Sequence, residues 1–268
     1  MEVGQGSRTA AAPSAPAKPA RRSLTILNPR PGGYAERFAA ALGDRHPAIV
    51  FVAALLCGLL VLLAASVLLG HLVVDVLVPG SGLGLGGSDE SVNETLAEHR
   101  SGTLNTVAEV GSELGTVVLV SLVILIAIVC VFKRKWRIGA FAVFALCVES
   151  ATYYVTSAAV PRQRPSVPRL EDLEPDTSFP SGHTAAAVAV YAGLVLLITN
   201  RLTSTLWKAL LWTAAIVIVT YIAFSRMYQG MHHPLDVLGG ALIGIGAILV
   251  ALWACRAAGA AAERRRRT

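Results

Sequence analysis

Long apolar segments alternate with short polar ones along most of the chain. Six apolar segments cover residues 48–70, 114–132, 138–160, 183–199, 207–224 and 235–255. About 20 apolar residues in a helix cross a hydrocarbon core of about 30 Å. Because lipid offers no partner for unpaired backbone groups, we expect every segment to be an α-helix. The pattern predicts an all-α, polytopic membrane protein with six transmembrane helices.

The composition agrees with a membrane protein. The 268-residue chain is 54% hydrophobic and 15% charged, with a mean hydropathy of +0.60. Soluble domains average about 45–50% apolar and about 25% charged residues, so this composition argues against a soluble enzyme. The four cysteines lie within apolar segments and form no close pair. We therefore expect neither a disulfide framework nor a zinc site.

The segments divide the chain into three regions. Residues 1–47 are rich in Ala, Pro, Gly and Arg and have no apolar helical face. We expect them to form a mostly disordered, basic cytoplasmic tail. Residues 48–255 form the six-span domain, and residues 256–268 form a second basic cytoplasmic tail.

Two glycine patterns and one loop helix complete the predicted organisation. In the first outer loop, Gly80–Gly87 is interpreted as a flexible linker, and residues 92–111 as an amphipathic surface helix. Gly240 and Gly244 are small residues four positions apart in the sixth span. This spacing favours close helix packing inside the bundle over dimerisation. The oligomeric state stays open.

Basic residues are distributed unevenly between the two sides of the predicted bundle. With the N-terminus inside, 18 of the 23 Lys and Arg are cytoplasmic, whereas 12 of the 17 Asp and Glu lie outside. Cytoplasmic loops carry the excess of Lys and Arg in membrane proteins. We therefore predict a multi-pass protein of the cell membrane with both termini in the cytoplasm. The C-terminal arginines then act beside anionic lipid, and we expect no nucleic-acid partner.

Three polar clusters interrupt the apolar sequence, all on the predicted extracytoplasmic side. They are Pro161-Arg162-Gln163-Arg164-Pro165, Pro180-Ser181-Gly182-His183, and Ser225-Arg226 with the following His232 and Asp236. Arginines at membrane depth need an anion, and planar guanidinium groups suit phosphate oxygens. The second cluster opens a helix, where unpaired N–H groups and the helix dipole favour an anion. The clusters together indicate a phosphate site.

The histidines in these clusters indicate phosphoryl transfer. His232 and Asp236 are four residues apart, so on a helix they would share one face. Asp236 is then expected to hold one ring nitrogen of His232 and leave the other nucleophilic. His183 supplies a second imidazole that can protonate a leaving oxygen. No Asp, Glu or His set has metal-ligand spacing, so we expect a mechanism through a phosphohistidine with no metal or other cofactor.

The spacing of these residues resembles the type 2 phosphatidic acid phosphatase family, membrane lipid phosphatases that share their core with vanadium haloperoxidases. The family's motifs are Lys-x6-Arg-Pro, Pro-Ser-Gly-His and Ser-Arg-x5-His-x3-Asp. The second and third motifs are complete here, and Arg164-Pro165 ends the first. The family's lysine position falls on Ser157, beside the uncharged Thr156. We expect Arg162 to supply the missing charge.

The resemblance implies a haloperoxidase-like helical core and a role for each motif residue. His232 would be the nucleophile, Asp236 its partner and His183 the general acid. The phosphate would be bound by Arg164, Arg226, Ser181 and Gly182. Residues 48–255 would then be a phosphatase domain. Glu149, an acid inside a span, is left as either a partner of a basic pocket residue or a protonated structural side chain.

These inferences predict an integral membrane lipid phosphatase with its active site on the extracytoplasmic side. Its substrate would be a lipid phosphate or diphosphate, with polyprenyl diphosphate, phosphatidylglycerol phosphate and phosphatidic acid left as alternatives. Three rival functions stay open on the same fold. They are a phosphotransferase to an acceptor other than water, a non-catalytic lipid carrier, and a vanadate-dependent peroxidase. The small size and the six spans argue against the peroxidase.

Overall fold

A computed structural model describes residues 25–79, 85–172 and 176–267. Every element assigned within them is helical. The α-helices are α1 (Tyr34–Ala41), α2 (Pro47–His71), α3 (Leu85–Glu98), α4 (Gly102–Gly115), α5 (Val117–Phe132), α6 (Trp136–Ala159), α7 (Gly182–Ala187), α8 (Gly193–Thr199), α9 (Thr205–Tyr228) and α10 (Pro234–Arg265). A 3₁₀ turn covers Thr25–Leu27, and π-helical turns cover Leu72–Leu77 after α2 and Val188–Ala192 between α7 and α8.

Six helical segments are long and apolar enough to cross a membrane. They are Pro47–Leu77, Gly102–Phe132, Trp136–Ala159, Gly182–Thr199, Thr205–Tyr228 and Pro234–Arg265. Each coincides with one of the six apolar segments of the sequence to within a residue where the segment is not fully contained, so the prediction of an all-α, six-span membrane protein is confirmed. Large apolar side chains such as Val61 and Leu249 remain exposed on their outer faces. A bilayer would cover these faces.

The first outer loop is more structured than the sequence suggested. Instead of one surface helix over 92–111, α3 ends at Glu98 and α4 begins after Ser101, whose hydroxyl accepts a hydrogen bond from Leu104 N. Both helices pack on the bundle, because Asn93 of α3 and Gly111 of α4 are buried. Residues 85–87 of the expected glycine linker begin α3, whereas residues 80–84 lie outside the described residues.

The predicted tails also contain helices. Within residues 1–47, α1 packs its buried Ala35 and Ala39 against Ala257 and Ala260 of α10. Small side chains on both helices allow this contact. Helix α10 itself continues to Arg265, well past the expected end of the last span. The expectation of disorder is therefore wrong for α1, whereas the cytoplasmic location of both ends stays a prediction. Residues 1–24 lie outside the described part of the chain.

Helix α10 positions the beginning of α7 through two glycines. A Cβ atom at Gly240 would overlap the carbonyl oxygen of Ser181, and one at Gly244 would overlap that of Ala185. Any larger side chain would therefore push α7 away from α10. The packing role predicted for this glycine pair is confirmed, and it fixes where the Ser181-Gly182-His183 sequence lies.

Candidate active site

A cavity of about 310 Å³ lies between α5, α6 and the first turn of α7. We call it the central cavity. His183, His232 and Arg164 line its polar end. The rest of its wall is mainly apolar or aromatic and comes from Gly115, Thr116, Leu119, Val120, Leu146, Glu149, Ser150, Tyr153, Tyr154, Gly182 and Ala186. A polar end joined to an apolar groove suits an amphipathic ligand.

His232 lies between α9 and α10 and is almost fully buried. Its Nδ1 atom lies 2.7 Å from the carbonyl oxygen of Ser178. A carbonyl can only accept, so Nδ1 carries the proton and Nε2 keeps its lone pair. Burial lowers the pKa of His232 well below its ordinary value, and the charges of Arg226 and Arg164 lower it further against the opposing effect of Asp236. The ring is therefore neutral near pH 7.

The expected partnership of Asp236 with His232 is not what the structure contains. Helix α10 begins at Pro234, so His232 precedes the helix and the i, i+4 argument does not apply to it. Asp236 instead accepts a hydrogen bond from the backbone N–H of His233 at 2.7 Å. It also accepts from the Ser178 hydroxyl and from Arg162. Asp236 thus fixes the segment whose carbonyl holds His232.

His183 lies in the first turn of α7, where two glycines let other helices approach. A Cβ atom at Gly182 would lie 3.0 Å from the Tyr153 ring, and one at Gly115 would lie 3.1 Å from His183 Cδ2. His183 Nε2 is 3.3 Å from the hydroxyl of Ser112. The N-terminus of α7 thus lies beside the central cavity, and its role in binding an anion stays a prediction.

Arg226 is fully buried, with 0% of its surface exposed. Its Nη1 donates to Ser112 Oγ at 2.6 Å, to Glu171 Oε2 at 2.8 Å and to Gln229 Oε1 at 2.8 Å. Among the described residues, its Nε and Nη2 atoms have no hydrogen-bond partner. Leaving charged donors buried and unpaired is costly, which indicates that this guanidinium is built to receive an anion.

Arg164 forms the second cationic wall. Its Nη1 donates to the carbonyl oxygen of Met231 at 2.6 Å, and its Nε lies 3.5 Å from a carboxylate oxygen of Asp176. Burial lowers the pKa of Arg164 from its ordinary value, partly offset by Tyr153 and Asp176. Met231 directly precedes His232, so this contact holds Arg164 close to that histidine. Arg164 and Arg226, the two predicted phosphate-binding arginines, both interact electrostatically with His183 and His232.

Arg162 does not have the role predicted for it. Its guanidinium forms buried salt bridges with Asp89 of α3 and Asp236 of α10. Because these two carboxylates already neutralise its charge, the structure contradicts the prediction that Arg162 replaces the missing lysine as a phosphate ligand. It instead ties the outer-loop helix α3 to the start of α10.

The position of the missing lysine holds a small buried side chain. Ser157 is 4% exposed, and its side chain interacts with that of Tyr153. Glu149, two helical turns earlier, is 2% exposed and lines the central cavity, where it accepts a hydrogen bond from the Ser150 hydroxyl at 3.2 Å. Among the described residues, no basic side chain forms a hydrogen bond with Glu149. The structure therefore favours a protonated, structural Glu149 over a partner of a basic pocket residue.

Five residues that support the site did not stand out in the sequence. They are Asp89, Asn93, Ser112, Glu171 and Ser178. Asn93 is fully buried and donates to the carbonyl oxygens of Met227 and His232 at 3.0 Å each. Only the two acids offered a weak signal, because the predicted topology places them on the same side of the membrane as the basic motifs. Hydroxyls, amides and carbonyls act here through tertiary contacts that the sequence does not show.

The region that contains the polar motifs also matches a known protein family. A family model described as the PAP2 superfamily matches residues 114–259, more than half of the chain. The chain belongs to the PAP2 superfamily. The crystal structure of a transmembrane PAP2-type phosphatidylglycerolphosphate phosphatase from Bacillus subtilis aligns with a TM-score of 0.58 at 25% identity. The alignment covers 76% of this chain and 93% of that one.

Three similar proteins differ in the functions that their names give. The chain is 33% identical over 123 residues to an undecaprenyl-diphosphatase of Sulfolobus acidocaldarius, covering 44% of this chain and 55% of the relative. It is 34% identical over 89 residues to the bacitracin transport permease protein BcrC of Bacillus licheniformis, covering 33% and 39%. It is 29% identical over 160 residues to phosphatidylglycerophosphatase B of Bacillus subtilis, covering 59% and 78%. The chain thus spans about half or less of the first two relatives.

Proposed function

We propose that this PAP2 protein is a membrane lipid phosphatase that hydrolyses a lipid phosphate or diphosphate through a phosphohistidine. One observation carries the proposal. A neutral buried His232 and a second imidazole, His183, line one cavity beside Arg164 and close to Arg226, which has unpaired N–H groups. The apolar wall of the central cavity offers a place for the lipid chain.

The proposed reaction has two displacements at phosphorus. In the first, Nε2 of His232 forms a bond to phosphorus while the bond from phosphorus to the lipid oxygen breaks. The imidazolium form of His183 gives its proton to that leaving oxygen. In the second, water attacks the phosphohistidine, His183 takes a proton from the water, and the N–P bond breaks to release inorganic phosphate.

The remaining residues bind and orient. Arg226 and Arg164 would hold the phosphate oxygens whose charge grows in the transition state, and the α7 N-terminus with Ser181 and Gly182 would hold a third side of the phosphate. The backbone carbonyl of Ser178 keeps the proton of His232 on Nδ1, so Nε2 faces phosphorus. Asp236 and Arg162 position the two segments that carry these groups.

The lining of the central cavity and the names of similar proteins both support a lipid substrate. Two similar proteins are named for polyprenyl diphosphate and phosphatidylglycerophosphate substrates. Both are lipids with a terminal phosphate, which matches a polar end joined to an apolar wall.

We infer that the central cavity faces the extracytoplasmic side, with both termini cytoplasmic, because 18 of 23 basic residues then lie inside.

Phosphate release tests this function. Purified protein is incubated in detergent with polyprenyl diphosphate, phosphatidylglycerol phosphate or phosphatidic acid, with EDTA present and the His232→Ala variant as control. We expect inorganic phosphate from at least one lipid, unchanged by EDTA, and none from the variant. A product phosphorylated on an added acceptor would indicate a phosphotransferase, and no turnover on any lipid would favour a carrier. Halide oxidation with vanadate would indicate a peroxidase.

A further inference from the structure

A second cavity, of about 440 Å³, lies at the other end of the helix bundle. Four cationic side chains line it, together with Asn28 and Trp136. The four are Arg134, Lys135, Arg137 and Arg201. We call it the basic cavity. Leu119 at one end of α5 lines the central cavity and Arg134 follows its other end, so at about 1.5 Å per residue the two cavities are roughly 22 Å apart.

The positive charge of the basic cavity is largely uncompensated. None of its lining residues within the described ranges is acidic. The salt bridges between described residues include none that joins Arg134, Lys135 or Arg201 to a carboxylate. Glu263 interacts electrostatically with Arg137. Like charges that lie close together repel each other. A cavity lined by four cations therefore favours an anion between them.

The fold itself places these cations together. Arg134 has a φ of +51°, in the left-handed region that non-glycine residues seldom adopt. This turn between α5 and α6 puts Arg134, Lys135 and Arg137 on one side of the chain. Lys135 precedes the first turn of α6, a long helix whose N-terminus has no side-chain cap. Its free N–H groups and positive dipole end add to the attraction for an anion.

The N-terminal segment forms a fixed wall of the cavity. Ile26 N donates to Asn200 Oδ1 at 3.1 Å, and Arg256 Nε donates to the Ile26 carbonyl at 2.8 Å. Arg137 Nη1 donates to Asn28 Oδ1 at 3.0 Å. These bonds tie the segment to α6, α10 and the turn after α8. The basic cavity is therefore lined by three parts of the fold, namely the N-terminal segment, the α5–α6 turn with the start of α6, and the turn after α8. Hydrogen bonds hold these parts together, as expected of a binding site.

Apolar side chains beside the cavity indicate the source of the anion. Trp136 is 61% exposed and Phe132, at the end of α5, is 81% exposed. Both are next to the cations, at the level where apolar helices meet water. Aromatic residues concentrate at this level in membrane proteins. An anion bound here would have its apolar part running along α5, as the acyl chains of a phospholipid do.

We propose that the basic cavity binds the phosphate headgroup of an anionic phospholipid from the leaflet opposite the central cavity. The lipid binds as a structural ligand and is not turned over, because no histidine lines the cavity among the described residues. Arg134 and Arg201 contact the phosphate from two loops, and Trp136 packs beside the glycerol backbone. Binding stabilises the arrangement of α5, α6 and the N-terminal segment.

Thermal unfolding of delipidated full-length protein in detergent tests this proposal. Added phosphatidylglycerol should raise Tm by roughly 5 °C at saturating concentration, and phosphatidylcholine should not. The double variant Arg134→Asn, Arg201→Gln should lose at least half of that increase. Asparagine tolerates the left-handed conformation, so the turn is retained. The control Arg45→Gln removes an exposed cation outside the cavity and should keep the full increase.

Two further measurements distinguish lipid binding in the basic cavity from binding in the central cavity and from a general effect of anions. The increase should persist in the His232→Ala variant with vanadate present, because the lipid does not bind in the central cavity. Inorganic phosphate and pyrophosphate should not reproduce it. An equal increase with these soluble anions, loss of the increase with vanadate, or an unchanged increase in the double variant would each overturn the proposal. Native mass spectrometry should detect one fewer retained phosphatidylglycerol in the double variant than in Arg45→Gln.

Discussion

The carboxylate of Glu171 lies 2.8 Å from the guanidinium of Arg226, at the place where we propose that phosphate binds. Its other oxygen accepts from the Gln229 side chain at 2.9 Å. Burial raises the pKa of Glu171, but the charge and hydrogen bond of Arg226, with smaller contributions from Ser112 and His183, outweigh this, so the pKa lies below its ordinary value. An ionised loop carboxylate therefore competes with the substrate for Arg226.

Replacing Glu171 by Gln should strengthen binding of anions in the central cavity. The amide keeps the shape and removes the competing charge, so we expect the inhibition constants of phosphate and vanadate to fall about 5- to 10-fold, equivalent to about 1 kcal/mol. The KM should fall with them while kcat changes little. Inhibition assays on Glu171→Gln and on Asp172→Asn, an exposed neighbour, measure this. Weaker inhibition in Glu171→Gln would show that the carboxylate orients Arg226 instead.

The two histidines should be separable by leaving group. His232→Ala should abolish turnover of every substrate and leave no phosphoenzyme. His183→Ala should lose about 10²–10⁴-fold on a lipid monophosphate, whose alkoxide needs a proton, and much less on a nitrophenyl phosphate. Initial rates of both variants on both substrates provide the comparison. Proportional losses on the two substrates would contradict the assigned roles.

Arg162 should matter for stability more than for phosphate binding. Arg162→Ala leaves Asp89 and Asp236 buried without their cation, and breaking such a pair costs about 3–5 kcal/mol. We expect a marked drop in Tm, together with a vanadate inhibition constant within about 3-fold of wild type in protein that remains folded. Arg169→Ala, which removes an exposed pair with Asp176, serves as the control. A large rise in that constant with an unchanged Tm would restore Arg162 as a phosphate ligand.

Stability should depend on pH through His233. Burial lowers the pKa of His233, but the hydrogen bond and charge of Asp236 and the hydrogen bond to Glu90 overcome this and raise the pKa, against the charge of Arg162. A raised folded-state pKa stabilises the protein below the unfolded value of about 6.5, and the gain is lost as pH rises through the folded value. Tm should therefore fall above about pH 6.5, and less so in His233→Gln. Identical pH profiles would exclude this linkage.

The orientation can be measured by labelling single cysteines in a cysteine-free background. Asp172 and Arg134 are both exposed and lie near opposite ends of the bundle. In intact cells, an impermeant thiol reagent should label a cysteine at position 172 and leave one at position 134 unreacted until the membrane is opened. The reverse pattern would place the central cavity on the cytoplasmic side.

The sequence predicted the features that depend on local composition. Six apolar segments gave the spans because length and hydropathy are local, and the Pro180–His183 and Ser225–Asp236 motifs located the cavity-lining histidines. It failed for Asp236, because the i, i+4 argument assumes that His232 is already helical, whereas α10 begins at Pro234. It also failed for Arg162, since its partner Asp89 is distant in sequence and lies in the first outer loop, away from every recognised motif.

The mouth of the central cavity has a kinetic consequence for the proposed enzyme. Val120 and Tyr154 line the cavity and are also exposed on the outer surface of the bundle, so the groove meets the bilayer sideways. Substrate arrives by lateral diffusion and the dephosphorylated lipid departs the same way, whereas phosphate leaves into water. The rate of hydrolysis then follows the mole fraction of substrate in the membrane. Adding inert lipid while the bulk concentration of substrate stays constant therefore slows turnover by surface dilution.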